Sequence, residues 1–479
     1  MRTAPGLFSS VLALLVTASC ARTSAPEVDA RRSESKSTVG TGTGIEGESK
    51  AFAGTPDASA TTPPGDAATK APEVFRDPDG NDEPRPETPG SGVLPQSGSL
   101  VAVGKPPLGL EHVCDISAFG NKLYLAHANR PLGSDGATIT TYDPTDEKKP
   151  FAVAFDWNRA GEPTKGGGGG QGFLRVHAID GRLWVPDADP PYGGLGAADW
   201  GTEGYVFVSN HEGAFARARY PHAGLPGLPG AGLEGKAGAS VLPRAYHVLD
   251  VVKFRGHLYA STGSVPPDAR AWNGPSPGAL HVAKDDLSRF TYALGFPSPY
   301  PGGVWRLTYM TRFRDRLYAG IQDYDGVSPD DYVVFTLPEG HDVLTERDAA
   351  GVRVTEHGAA WTLRWYADRG ALYWIAGTAG GTVTLRKTTD GSTWQEIALP
   401  AELGRPSDIV RFRGHLVVLG ERGLAALEEG GAAHMVAAVT QKKSPFVIDD
   451  ILCAPPLEVL GDTLYLGGHD RGATLYRLE

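Results

Sequence analysis

"VVKFRGHLYA" occupies residues 251–260, and close copies stand at 310–319 ("MTRFRDRLYA") and 408–417 ("DIVRFRGHLV"). Each is an apolar run, a short turn and a second apolar run. Looser copies complete the series: "DISAFGNKLYLA" (115–126), "RVHAIDGRLWVP" (175–186), "RWYADRGALYWIAG" (364–377) and "PLEVLGDTLYLG" (456–467). The turns carry pairs such as Gly120-Asn121, Asp180-Gly181 and Arg413-Gly414. Gly, Asn and Asp tolerate the positive φ of a tight hairpin. The flanks are rich in Val, Ile, Leu, Tyr and Trp, which fill a pleated surface. Each copy therefore predicts a β-hairpin.

The leucines just after the turns are Leu123, Leu183, Leu258, Leu317, Leu372, Leu416 and Leu464, spaced 44–75 residues apart. A supersecondary unit repeating at such a period marks propeller blades. Sandwich strands recur much faster, about every 8–12 residues. The fifth unit also shows the other half of a blade, "GTVTLRKTT" (381–389) and "TWQEIAL" (393–399) around "DGS". The sequence thus predicts an all-β fold, a seven-bladed β-propeller over residues 96–479. The last unit has three strands before Glu479, and "GSLVAVG" (98–104) is predicted to supply the fourth, so that an N-terminal strand closes the last blade. Cys114 leads into the first inner strand and Cys453 into the last. In an exported chain these two are predicted to form a disulfide across the closure.

"TTDGSTW" (388–394) resembles the Asp-box of sialidase-type propellers, with Asp390 in the turn and Trp394 packing beneath it. The spacing is one residue shorter than usual and the motif occurs once. The hairpin pattern also resembles kelch-like propellers. The resemblance implies architecture alone, because the Asp-box is structural in those families.

The first twenty residues read as a targeting segment: Arg2, the apolar run "LFSSVLALLV" (7–16), then "TASC" (17–20). The run is too short for a mature membrane span. The arrangement resembles a bacterial lipoprotein signal, with Thr17 where Leu is usual. That resemblance implies that Cys20 becomes the lipidated N-terminus and, with Ala21 after it, outer-membrane sorting. Residues 21–95 are dominated by Ser, Thr, Ala, Gly, Pro, Asp and Glu, with Phe52 and Phe75 as their aromatics. Such a stretch cannot offset its ordering entropy and is expected to be a disordered tether with a reach of roughly 50 Å.

The net charge is −11, without a basic cluster, which argues against a nucleic-acid partner. HExxH and P-loop motifs are absent. "GGGGGQG" (166–172) lacks the Lys-Ser/Thr of a phosphate loop and reads as a flexible connection.

Counting back from each leucine locates the inner strands, where a propeller presents its ligands. Eleven residues before stand His112, His247, Arg306 and Arg405; eight before stand Asp115, Arg175, Asp250, Tyr309, Arg364 and Asp408. One reading pairs these groups with one another around the channel. The other makes a ligand funnel: Arg306, Arg364 and Arg405 fork onto a carboxylate or sulfate, His112 and His247 assist, and Tyr309 stands among them. A sialidase-like hydrolase would pair a Tyr nucleophile with a Glu, and Tyr309 lacks an evident Glu partner. "QDYDGVSPDDY" (322–332) offers Asp323, Asp325, Asp330 and Asp331 as oxygen ligands for Ca²⁺, the one cofactor the sequence suggests. Tyr192, Trp200, Trp272, Tyr300 and Trp305 lie in or near long insertions, where aromatics can stack on sugars or anchor a partner. The expectation is a monomeric, envelope-anchored lipoprotein whose propeller binds a glycan or protein, rather than an enzyme. A carbohydrate-active hydrolase and a purely structural envelope component are the alternatives.

Overall fold

A computed structural model describes residues 93–128, 137–157, 172–188, 203–215, 238–243, 245–263, 278–283, 290–295, 305–323, 331–345, 352–355, 357–359, 361–428, 431–449 and 452–479. The targeting segment with Cys20, and the tether up to residue 92, lie outside the described residues.

Strand β1 (Leu100–Gly104) precedes a series of antiparallel meanders. The first is β2 (His112–Phe119), β3 (Lys122–Ala128), β4 (Thr138–Tyr142) and β5 (Phe151–Asp156). The second is β6 (His177–Ile179), β7 (Arg182–Pro186), β8 (Glu203–Val208) and β9 (Gly238–Pro243). The third is β10 (Tyr246–Phe254), β11 (His257–Gly263), β12 (Ala279–Ala283) and β13 (Phe290–Gly295). The fourth is β14 (Trp305–Phe313), β15 (Arg316–Asp323), β16 (Tyr332–Thr336) and β17 (Val352–Val354). The fifth is β18 (Trp361–Asp368), β19 (Ala371–Gly377), β20 (Val383–Thr388) and β21 (Gln395–Ile397). The sixth is β22 (Pro406–Phe412), β23 (His415–Gly420), β24 (Gly423–Leu427) and β25 (Ala433–Ala438). The last is β26 (Leu457–Leu460), β27 (Thr463–Gly467) and β28 (Leu475–Leu478).

The arrangement is a β-propeller, and its strand pairing corrects the expectation of seven separate blades. Five four-stranded sheets stand alone, while the third and fourth meanders form one eight-stranded sheet. The join is a single pairing, Gly263 with Arg306. Gly263 permits it because it has no side chain: a Cβ there would fall 2.6 Å from Arg306 Cγ.

The hairpins form where the turn chemistry demands. Arg255 and Gly256 sit at φ +51° and +82°, the left-handed pair that a two-residue turn needs. Strands such as β27 are buried on both faces, as stacked sheets require. In β27, Leu464 and Leu466 face the sixth meander (Val417, Leu419), whereas Tyr465 between them packs toward Val113 and Leu123 of the first. Burying one such leucine contributes about 1.5–3 kcal/mol. The turn at 388–394 is tied by Asp390, whose Oδ1 accepts from the Ser392 and Thr393 amides at 2.8 and 2.7 Å. Trp394 Nε1 donates to the Tyr332 hydroxyl at 2.8 Å.

Closure follows the expected route. β1 pairs antiparallel with β28, with Leu100 opposite Leu478, and supplies the outer strand of the last sheet. Gly98 N donates to Val436 O at 2.8 Å, and Leu94 is buried with Val436 and Leu478. On the inner side, Cys114 and Cys453 are disulfide-bonded, with Cα atoms 4.6 Å apart and a sequence separation of 339. Peptide mapping without reductant should recover Cys114 linked to Cys453. The Cys114→Ser/Cys453→Ser double variant should unfold at lower denaturant concentration, with a chain-entropy ceiling of about 6 kcal/mol. Free thiols at both positions in exported protein would refute the clasp.

Candidate functional site

The innermost strands share an irregularity that the hairpin pattern conceals. Pairing skips one residue just before Asp115 in β2, Asp250 in β10, Arg364 in β18 and Asp408 in β22, and it also shifts between Leu307 and Met310 in β14. A β-bulge bends a strand and re-aims the side chain after it. In these five strands the bulge turns the residue eight before the anchor leucine toward the neighbouring inner strand.

Three aspartates at this position act alike. Asp115 accepts the Val176 amide at 3.0 Å, Asp250 the Met310 amide at 2.7 Å, and Asp408 the Leu457 amide at 2.7 Å. Each carboxylate thus holds one main-chain amide in, or just before, the next inner strand. The arginines at the same position pair with two of them, Asp115 and Asp408. Arg364 NH1 bonds Asp115 Oδ1 at 3.0 Å, while its Nε lies 2.9 Å from Asp408 Oδ1 as an ion pair. Arg175 lies 3.7 Å from Asp115, donates to Leu363 O at 3.0 Å, and sits 3.5 Å over the Tyr309 ring. The Tyr309 hydroxyl donates to Leu452 O. His177 Nε2 meets Asp250 Oδ1 at 2.6 Å.

Burial works against ionisation of both carboxylates that Arg364 joins. In Asp115 the two guanidiniums outweigh it and hold the carboxyl below its usual range. In Asp408 burial prevails over the single Arg364 and pushes the carboxyl up.

The residues eleven before the leucines go to separate partners. His247 Nδ1 faces Ala188 O at 3.2 Å, and its Nε2 accepts from Arg306 at 2.8 Å. Arg405 is bound by Glu421 at 2.6 Å and by Ile448 O at 2.9 Å. His112 Nε2 lies 3.2 Å from Asp449 Oδ2, and His469 Nδ1 lies 3.0 Å from Asp449 Oδ1. Burial raises the Asp449 carboxyl, but contact with His112 and His469 overrides this and holds it far below the usual range. Of the expected funnel set, the structure therefore brings Arg364 and Tyr309 to Arg175 and brings His247 to Arg306. It leaves Arg405 and His112 in contacts of their own, so the three arginines do not form one anion fork.

Asp331 is buried, and its two oxygens accept the Ala359 and His357 amides at 2.5 and 2.7 Å. It staples a loop in the way Asp115 staples a strand. The Asp323 side chain, Asp325 and Asp330 lie outside the described residues, as do Tyr192, Trp200, Trp272, Tyr300 and the Trp305 side chain. Sequence reasoning missed Asp449 and His469. They lie in the connections β25–β26 and β27–β28, which no count from the leucines reaches.

No family model matches the chain, and no curated protein matches it. Among solved structures it is similar to virginiamycin B lyase from Staphylococcus aureus, at 9% identity and a TM-score of 0.48, covering 80% of this chain and 99% of that one. It is also similar to PorZ, a surface component of the type-IX secretion system of Porphyromonas gingivalis, at 16% identity and a TM-score of 0.48, covering 78% of this chain and 46% of that one. A third is the extracellular domain of a proposed one-component system from B. thetaiotaomicron, at 10% identity and a TM-score of 0.48, covering 81% of this chain and 42% of that one. The chain spans less than half the length of the latter two. At these scores the propeller rests on the chain's own strand pairing.

Two outcomes follow for stability. Arg364→Leu leaves Asp408 without its guanidinium and Asp115 with Arg175 alone, and should cost about 3–5 kcal/mol in denaturant unfolding. Adding Asp115→Asn and Asp408→Asn should recover most of that loss, and a single-variant loss below about 1 kcal/mol would contradict a buried network.

The second outcome concerns His127, buried with Nδ1 2.9 Å from His112 O and Nε2 2.7 Å from Thr140 Oγ1. Burial lowers its pKa from 6.5 to about 4. Below pH 6.5 the unfolded chain takes up a proton that the folded chain refuses, so stability falls as pH drops toward 4. Between pH 7 and 4.5 the wild type should lose about 2–3 kcal/mol more than His127→Gln.

Proposed function

We propose that this protein is an envelope-anchored lipoprotein whose propeller is a binding module for a glycan or protein ligand. The ligand is received at the end of the ring where the inner strands begin. The observation that carries this is the distribution of connections. At the opposite end the inner hairpins turn in two residues, as between Phe254 and His257. At the receiving end β7 ends at Pro186 and β8 begins at Glu203, β11 ends at Gly263 and β12 begins at Ala279, and β13 ends at Gly295 and β14 begins at Trp305. These connections carry Tyr192, Trp200, Trp272 and Tyr300, residues suited to stacking on sugars or anchoring a partner. Two long connections, β8–β9 and β16–β17, leave from the other end.

The axis beneath supports binding over hydrolysis. The Tyr309 hydroxyl is held by Leu452 O and its ring is covered by Arg175, so a nucleophilic role would require both contacts to break. Arg175 and Arg364 are engaged with Asp115. Arg405, itself paired with Glu421, keeps more than a third of its side chain exposed.

The full chain should show saturable binding on a glycan array or to an envelope protein, with no turnover of a chromogenic glycoside panel. Turnover that is lost in Tyr309→Phe would establish the hydrolase instead, and silence in every assay would favour a purely structural component. Cys20→Ser should move the protein out of the membrane fraction while leaving its unfolding transition unchanged. A variant that stays membrane-bound would point to another anchor.

A further inference from the structure

The seam where the first and last units meet holds a group of side chains that neither the axial network nor the receiving loops use. His112 begins β2 of the first unit. Asp449 and His469 come from the two connections that flank β26 and β27 of the last unit. One ligand atom from each lies within 4.8 Å of the others.

His112 Nδ1 faces Ala128 O at 3.2 Å. His469 Nε2 faces Val113 O at 3.2 Å, with the disulfide sulfur of Cys453 at 3.6 Å. A carbonyl oxygen only accepts, so the ring proton of each neutral histidine belongs on that outward nitrogen. The inward nitrogens, His112 Nε2 and His469 Nδ1, then present lone pairs. Both point at the Asp449 carboxylate, which when ionised also offers only lone pairs. In that tautomer three electron-pair donors face one another, an arrangement that a cation satisfies.

We propose that His112, Asp449 and His469 bind a divalent transition-metal ion of the zinc class. Three features fit such an ion. The donor set of two imidazole nitrogens and one carboxylate oxygen suits zinc and its neighbours rather than calcium. Each imidazole is fixed from behind by a main-chain carbonyl, the outer-shell pattern that orients metal-bound histidines. One donor atom from each of the three residues lies within 4.8 Å of the others, close enough for side-chain rotation to bring all three onto one ion with bonds near 2.0 Å. Asp449 is 46% exposed, which leaves a fourth position open to water or to a ligand group. The ion would join the first unit to the last beside the Cys114–Cys453 bond, whatever the receiving loops bind.

The test uses the untagged full chain, stripped with a chelator and titrated with Co²⁺ and then Zn²⁺. The expected result is a 1:1 visible d–d absorption with Co²⁺ that Zn²⁺ abolishes, and a rise in melting temperature at saturating Zn²⁺. Asp449→Asn keeps the side-chain shape on a half-exposed residue and should weaken binding by more than about tenfold, as should His469→Gln. Both variants should keep the disulfide and a cooperative transition. The proposal is overturned if the folded wild type gives no d–d absorption with excess Co²⁺, or if both variants bind as tightly as the wild type. It is equally overturned if the imidazole ¹⁵N shifts of His112 and His469 report doubly protonated rings that Zn²⁺ leaves unchanged.

Discussion

The pairing of Leu100–Gly104 with Leu475–Leu478 is what makes a ring out of a row of sheets. Without it the last sheet would have three strands, and the start of the chain would not be tied to its end. Once it forms, β26 lies beside β2 and the inner strands surround one axis. Everything of chemical interest depends on that geometry. Arg364 reaches Asp115 across 249 residues of sequence, Cys114 reaches Cys453 across 339, and His112 reaches Asp449 across 337.

The axis is where the ring commits its charges. A guanidinium and two carboxylates taken out of water gain little net stability, since desolvation offsets most of their attraction. Their effect is to fix which strand lies beside which. Asp115, Asp250 and Asp408 each accept an amide one residue past the matching position of the following unit. A slip of one residue would leave both the amide and the carboxylate unpaired, at a penalty of about 1–3 kcal/mol for each orphaned group. The bulges make this possible by aiming a charged side chain where a regular strand would place an apolar one.

The hairpins were legible because a tight turn leaves a local mark: Arg-Gly or Asp-Gly between β-forming runs. The closing strand and the cysteine pair were legible because a ring with three strands in its last sheet needs a fourth. The polar positions counted back from the leucines were also found, but their partners were not. Nothing near Arg364 in the sequence says that it faces Asp115 rather than a ligand. The bulges are invisible because the skipped residues, Cys114, Leu249, Leu363 and Ser407, have no common chemistry. The fusion of the third and fourth units hangs on one glycine, Gly263, at a strand end where glycine is unremarkable. Asp449 and His469 escaped notice because they lie in connections of irregular length.

The closing strand also has a mechanical meaning. Chain that precedes Val93 enters the ring through β1, which lies on the outer edge of its sheet. Any pull on the chain ahead of Val93 would therefore load that edge first, peeling β1 from β28 before it strained an inner strand. The covalent bond between Cys114 and Cys453 lies at the opposite, axial side of the same sheet and is not in that line of force. A ring unzipped at its rim would stay latched at its hub. The detached strand would remain tethered beside its empty edge, and slack would let it re-anneal without the ring having opened.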